Sequence, residues 1–594
     1  SCIFPLTAYP AMQPDYWAKI YRTCKEYGLK HVRFHSWCPP EAAFHVADSM
    51  GIYLQVECGA WAEVGSGKPQ DQWLKEESDR ILKAYGNHPS FCMMVYGNEP
   101  AGTDQVAYLS GLVDYWKSKD SRHVYSSAGG WPYVGNADYW NAPNPRIQAW
   151  GAGLRSIINK EAPRTDYDFA GIIRQDMPTV SHEIGQWCVY PNFKEIEKYT
   201  GVLKAKNLEI FRETLAEKGM ADMGEKFLYA SGRLQTLCYK ADIEAALRTP
   251  GFAGFQLLDL HDFPGQGTAL VGLLDAFWES KGVVSARQFR EFCAPVVPLV
   301  RYAKAAYAAG ELFTAEVDIS NYSAEALENA ALTWELGDSE DGTFASGTIG
   351  ADIAQGYNRG LGRIAVELAG IEKARKLTLT VGVEGTSYRN SWSVWVYPQA
   401  DEDRSGDVRI TDDLNTAMAE LEKGGKVLLL LDWRYTNGLQ GKFLPVFWSP
   451  VHFPEQAGTM GLLCDAEHPA LADFPNDGHG DWQWWELCVD SRTMVVDSLH
   501  GGAPVVKVID NFTNNRRLAM IYEGRVGDGR LVLASCDLTT DLDRRIVARQ
   551  MRRSLIRYMK SDRFDPPVIE NPEVLRTFVS DVCDSRRADA TDIY

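Results

Sequence analysis

The sequence predicts an α/β protein: a (β/α)8 barrel of the TIM type, then a β-sandwich, then a C-terminal α/β domain. Three observations carry this. The first half alternates strand-like apolar runs with single amphipathic helices, the hydrophobic period shifts to two after residue 304, and buried strand runs with helices return after residue 400. The expected domains are 1–303, 304–400 and 401–594, and 594 residues suffice for several separate cores.

Pro14 to Tyr27 places Trp17, Ile20, Tyr21, Cys24 and Tyr27 on one helical face, with Pro14 near the start and Gly28 as the stop. Lys30 to His35 reads as a strand, Pro40 to Met50 as a helix closed by Gly51, and Ile52 to Glu57 as the next strand. A third helix ends near Tyr85-Gly86, before a strand at Phe91. Later strands are Val124 to Ser127, a short one near Tyr139-Trp140, the run into Glu183, and Gly254 to Leu258. Counting Ile3 to Leu6 as the first gives eight, and single-helix crossovers imply a parallel sheet. A doubly wound sheet is the rival, but no glycine-rich phosphate loop follows a strand, which also disfavours a dinucleotide-dependent enzyme.

A helix is expected around Lys304. Beyond it Phe313, Ala315, Val317 and Ile319 alternate, as do Leu377 to Val383 and Trp392 to Val396, the pattern of a β-sandwich. The acidic segment Asp401 to Gly406 reads as a linker. A helix carrying Leu414, Met418 and Leu421, a buried strand from Lys426, strands at Leu518 and Arg530, and a helix from Arg545 to Met559 then give the α/β reading.

The net charge of −18 and pI near 5.2 argue against nucleic acid or an anionic membrane as partner, and no apolar stretch is long enough to span a bilayer. The 12 Cys form no CxxC pair or metal-type cluster, so most read as free and buried; no metal or cofactor is expected. The 18 Trp suit stacking on sugar rings and suit core packing equally. The start lacks both an initiator Met and the regions of a secretory signal, so the chain reads as a fragment and its compartment stays open.

Glu99 and Glu183 are the most informative residues. Each closes an apolar strand run, Phe91 to Asn98 and Met177 to His182, which brings a costly charge to the rim of a sheet. Two such ends in one βα-repeating segment point to paired acids working across one bond. Glu57 ends another strand, as partner of Arg33 or of a ligand hydroxyl. His35 and His182 are each compatible with a packed core residue or a ligand contact. Trp187 and Trp131 suit the mouth or the core, and Asp259, His261 and Asp262 suit ligand hydrogen bonding or loop capping better than a closed metal site.

Four pieces together resemble the catalytic barrel of glycoside hydrolase family 2: Arg33-Phe34-His35-Ser36-Trp37, Asp48 through Glu57, Gly97-Asn98-Glu99 and His182-Glu183-Ile184-Gly185. The resemblance covers about half the chain. It implies an exo-acting, retaining glycosidase acting on an oligosaccharide or other glycoside, with Glu99 as acid/base, Glu183 as nucleophile and carboxyls ~5–5.5 Å apart. Asn98 would donate to the sugar 2-hydroxyl, Arg33 would keep Glu183 ionised, and Trp278 would floor the subsite. Arg33, His35, Glu57, Asn98, His182, Trp187, Asp259 and Trp278 are thus the expected substrate-binding set.

Family 2 chains usually carry a jelly-roll and an immunoglobulin-like domain ahead of the barrel, and here the barrel pattern starts at once. The expectation is association with that missing portion, or a homo-oligomer. The third domain resembles the amidotransferase-like fold appended to some glycosidases, yet Cys464 lacks the glycines of a nucleophile elbow, and the Trp482 to Trp485 run reads as packing. The resemblance suggests a bacterial, β-galactosidase-like, polysaccharide-degrading enzyme, periplasmic or secreted. The rival reading is a non-catalytic carbohydrate-binding or scaffold protein on the same barrel. Galactose, uronic acids and arabinopyranose all remain open; a uronate would need a base such as Lys281.

Overall fold

A computed structural model describes residues 4–148, 152–174, 176–399, 405–456 and 458–579. The N-terminal region alternates α1 (Pro14–Glu26), β1 (His31–Arg33), α2 (Glu41–Met50), β2 (Tyr53–Glu57), α3 (Pro69–Tyr85), β3 (Phe91–Val95), α4 (Gln105–Lys119) and β4 (Val124–Tyr125). It continues with β5 (Trp140–Ala142), α5 (Ile157–Lys160), β6 (Thr179–Gly185), α6 (Lys206–Glu217), α7 (Gly224–Leu247), β7 (Phe252–Leu258) and α8 (Ala286–Phe289). In α1 the buried residues are Trp17, Ile20, Tyr21 and Cys24, the face its spacing predicts. Gly51 takes the left-handed cap of α2 at φ 64°, a conformation glycine adopts without strain.

Among the described residues this region has seven strands, all parallel, in a four-stranded sheet β1-β2-β3-β4 and a three-stranded sheet β5-β6-β7. The expected first strand is a correction: Phe4 to Leu6 lie in a turn, and residues 1–3 fall outside the described residues. Pro5 has no N–H for a ladder, and Phe4 instead packs on the rings of Tyr16 and Trp17 at 5.4 and 6.2 Å. Among the described residues no ladder joins β4 to β5 or β7 to β1. Buried polar side chains connect the two sheets instead. Gln256 on β7 donates to Gln55 on β2 at 2.9 Å and meets His31 on β1 at 2.9 Å, while Tyr139 donates to Gln55 at 3.1 Å.

A strand, not a helix, precedes Lys304: β8 (Val296–Arg301), followed by β9 (Ala306–Ala308). Its β-branched run favours extension, and Pro298 is tolerated because β8 is the edge of its sheet. The middle region holds β10 (Leu312–Asn321), β11 (Leu327–Asp338), β12 (Gly342–Ile353), β13 (Gly356–Glu367), β14 (Arg375–Val383) and β15 (Arg389–Tyr397). They form sheets β13-β10-β8 and β12-β11-β14-β15-β9, whose inward residues, Phe313 to Ile319 and Leu377 to Val383, share one apolar core.

The linker expected at 401–406 lies mostly outside the described residues. The C-terminal region contains β16 (Val408–Thr411), α9 (Leu414–Leu421), β17 (Lys426–Leu430), β18 (Leu439–Gln440), β19 (Thr459–Cys464), α10 (Trp485–Val489), β20 (Arg492–Val495), β21 (Ala503–Asp510), β22 (Leu518–Val526), β23 (Gly529–Ala534) and α11 (Ile546–Lys560). Its strands make one mixed eight-stranded sheet. It seats on the N-terminal region through Trp485 Nε1 to the Ile158 carbonyl at 2.9 Å and Tyr190 Oη to Asn515 at 2.6 Å. No helix among the described residues is long and apolar enough to cross a membrane.

Candidate active site

The C-terminal ends of β1, β2, β3 and β6 deliver Arg33, Glu57, Asn98-Glu99 and Glu183 to one place. Carboxylate oxygens of Glu99 and Glu183 and a ring nitrogen of His182 lie within 4.8 Å of one another. Both glutamates occupy the left-handed region, at φ 38° and 53°, where a side chain is held only by determined surroundings.

Arg33 organises the cluster. Its Nε donates to Glu57 at 2.5 Å, Nη1 to Glu183 at 2.7 Å and Nη2 to Asn98 Oδ1 at 2.7 Å. Gly129 permits this, since a Cβ there would stand 2.5 Å from Arg33 Nη2. Glu57 is fully buried, and its second oxygen takes the Ser36 amide at 2.6 Å, so Glu57 holds Arg33 in place. Arg33 can only donate, so Asn98 must turn its oxygen toward Arg33 and its amide nitrogen away from it.

Glu183 receives a further bond from Gln186 Nε2 at 3.1 Å, and its backbone carbonyl takes Arg146 Nη1 at 2.9 Å. Burial by itself would raise the Glu183 carboxyl. The charges of His182, Arg33 and His35, with the Arg33 hydrogen bond, outweigh burial and hold it at about 2. The Arg33 guanidinium stays charged at neutral pH, whereas burial lowers the His35 imidazole. Glu99 is more open, its side chain 25% exposed, with His182 Nε2 at 3.4 Å. The two glutamates therefore sit in different surroundings, one clamped by donors and the other facing solvent.

A cavity of about 140 Å³ runs from Glu183, Arg33 and His35 past Asp259, His261 and Trp278 to apolar residues of α1, β1 and β7. Trp278 stacks on His261 with ring centroids 4.0 Å apart, and His261 pairs with Asp259 at 3.6 Å. Burial would raise Asp259, and the His261 charge beside it leads the effects that more than reverse this. His182 is buried beside the two glutamates, its Nδ1 without a hydrogen-bond partner among the described residues.

Trp187 is a correction. It is fully buried, its indole donates to Gln148 at 2.6 Å, and its ring meets Tyr239 edge-on at 5.2 Å. The chain turns inward after Gly185, so this indole packs the core. Lys281 is buried against Asp262 at 2.6 Å, Asp262 being absent from the cavity wall. Trp131 stays half-exposed beside Gly130, its indole on the Pro100 carbonyl at 2.9 Å. Sequence reasoning missed Gln186 and Arg146. Gln186 lies three residues past Glu183, but only the left-handed turn at Gly185 (φ 104°) and Gln186 (φ 66°) brings it back to that carboxylate.

Among the described residues two clusters offer three ligand atoms each: Glu99, His182 and Glu183, and His45, Asp48 and His88. The second is accounted for structurally, since Asp48 binds His88 at 2.6 Å and the Ser90 amide at 2.9 Å. Cys464 ends β19 with its thiol pushed up to about 12 by burial, then by Asp481 and Asp465, which does not suit a nucleophile.

Two family models match parts of the chain, both described as domains of unknown function: DUF8488 over 311–398 and DUF8487 over 409–580. No curated protein matches it by sequence. Similar solved structures include an FMN-binding β-glucuronidase from Facaelibacterium prausnitzii L2-6, at TM-score 0.35 and 13% identity, covering 66% of this chain and 54% of that one. Another is the exo-chitosanase CsxA of Amycolatopsis orientalis, at TM-score 0.43 and 15% identity over 67% of this chain and 49% of that one. A third is a β-D-mannosidase from Dictyoglomus thermophilum, at TM-score 0.39 and 12% identity over 65% and 55%. The chain spans about half the length of these structures.

Proposed function

We propose that this chain carries the catalytic site of a retaining, exo-acting glycoside hydrolase of the family 2 kind, built at the C-terminal ends of its parallel N-terminal strands. One observation carries the reading: an oxygen of Glu99 lies within 4.8 Å of an oxygen of Glu183, the latter carboxylate clamped by Arg33 and Gln186 and the former more open to solvent. Retaining enzymes hold their carboxyls about 5–5.5 Å apart, whereas inverting ones leave about 6.5–9.5 Å for a water.

In this reading Glu183 attacks the anomeric carbon as Glu99 protonates the leaving oxygen. Glu99 then takes a proton from the water that releases the sugar from Glu183. Asn98, its oxygen tethered by Arg33, offers its amide N–H to the sugar 2-hydroxyl, and Trp278 floors the ring. Among the described residues lining the cavity there is no Lys, and the only Arg is engaged three times over.

A panel of aryl glycosides tests the activity, and a 2-deoxy-2-fluoro glycosyl fluoride of the accepted sugar tests the nucleophile. Peptide mapping should find the label on Glu183. A label elsewhere, or no turnover across neutral and uronic substrates, rejects the reading.

A further inference from the structure

Past Glu183 the chain keeps to its own sheet only as far as Gln186, with Ile184 and Gly185 paired to Leu257 and Leu258 and Gln186 N donating to the Leu258 carbonyl at 2.9 Å, and there it also pairs with the C-terminal region. Cys188 N donates to the Val446 carbonyl at 2.8 Å, Trp448 N donates to the Gln186 carbonyl at 2.6 Å, and Trp187 faces Phe447 as an antiparallel bridge. Residues 186–188 and 446–448 thus form a two-strand clip between regions nearly 260 positions apart in sequence. Gln186 and Trp448 both hold left-handed backbone, at φ 66° and 56°, which a non-glycine residue keeps only when its neighbours determine it.

Both halves of the clip are braced from behind. Gln456 takes the Phe447 amide on Oε1 at 2.8 Å and returns Nε2 to the Phe447 carbonyl at 2.9 Å, so one side-chain amide stands in for a neighbouring strand. Ser449 Oγ meets Thr268 Oγ1 at 2.8 Å across the interface. On the other side Gln235 Nε2 holds the Trp187 carbonyl at 2.8 Å. The clip ends at the candidate nucleophile, because Gln186 Nε2 donates to Glu183 Oε2 at 3.1 Å.

We infer that the C-terminal region is a working part of the active site: residues 446–448, braced by Gln456, fix the Gln186 turn and thereby position Glu183. This rests on the glycosidase reading. It gives the segment matched by DUF8487 a task, since 446–456 lies within 409–580. Gln186 and Gln456 are positioning residues. Without the clip the buried amide of Cys188 and carbonyl of Gln186 would lack partners, and the Gln186 side chain would lose its aim.

The test compares Gln456→Leu, Gln456→Glu and Gln186→Leu with the wild type, using the full chain, the best aryl glycoside and Glu183→Gln as the inactive reference. Gln456→Leu should lower kcat by about tenfold and leave KM within about twofold, the split expected for a displaced catalytic group. Its acid limb should move to higher pH, since a carboxylate with a weaker donor takes up its proton sooner. Gln456→Glu keeps the acceptor for Phe447 N and should recover part of kcat; Gln186→Leu should reproduce the limb shift. Amide exchange across 183–190 and 443–449 should quicken in Gln456→Leu. An active wild type with Gln456→Leu unchanged in kcat, pH profile and exchange overturns the inference while the glycosidase reading stands. A wild type inactive on every glycoside removes the glycosidase reading; exchange then decides the clip, and unchanged exchange overturns it.

Discussion

Arg33 and Glu183 form an ion pair of 2.7 Å in which each side chain is only 7% exposed. The same guanidinium spans Glu57 and Asn98, so one planar fork sets the spacing of three strand ends. A lysine offers no such fork. Arg33→Lys should lower kcat roughly a hundredfold, and Arg33→Ala, which strands two buried carboxylates, should cost on the order of 3 kcal/mol of stability. Aryl glycoside kinetics and urea unfolding measure the two effects. Full activity in Arg33→Lys would show that the fork is dispensable.

Gly129 makes room for that fork. An alanine Cβ would meet Arg33 Nη2 at 2.5 Å and Cζ at 3.0 Å, and backbone carbonyl and amide bonds to Gly97 and Glu99 leave little freedom to retreat. Gly129→Ala should therefore cut kcat at least about tenfold for about 1–3 kcal/mol of overpacking strain, although no catalytic group is altered. Kinetics beside a melting curve separate the two.

Glu99 contributes its proton to leaving-group departure in the proposed mechanism. Glu99→Ala should slow alkyl or poorly activated aryl glycosides by about a thousandfold and activated nitrophenyl glycosides far less, with azide restoring turnover as a β-glycosyl azide. Equal loss across leaving groups would count against the assignment.

Glu195 reports on the loop beneath the site. Burial, then the charges of Asp262 and Asp275, push its carboxyl up to about 8, and Tyr199 donates to it at 3.0 Å. The folded state therefore binds this proton more tightly than the unfolded chain. Its contribution is complete below the unfolded value near 4.5 and is lost as pH rises through about 8. Glu195→Gln, which keeps an acceptor for Tyr199, should flatten the fall in stability across that window, whose slope reaches at most about 1.4 kcal/mol per pH unit. Denaturant midpoints at several pH values would show it, and parallel wild-type and variant curves would refute it.

Much of this molecule is legible from local chemistry. The period of apolar residues gives α1 and α2 with their glycine stops, and the β-branched and alternating runs give β2, β3, β6, β10 and β14. Glu99, Glu183 and Arg33 are readable because a charge at the end of a buried strand is costly and so conspicuous, and Asn98 only through the resemblance that its pairing with Glu99 carries. The turn at Phe4 to Leu6 and the strand before Lys304 were not readable. Aromatic packing on Tyr16 and Trp17 decides the one, and pairing of β8 with β10 decides the other.

Sequence alone determined which groups are present and which strand end each one closes, because those follow from short-range pattern. Only the tertiary structure decided that Glu57 is consumed by Arg33, that Trp187 packs inward, that Lys281 is bound to Asp262, and that Gln186 is clipped to residues 446–448. The reason is physical: each is a contact between groups distant along the chain, set by which backbone and side-chain atoms must find partners once water is gone.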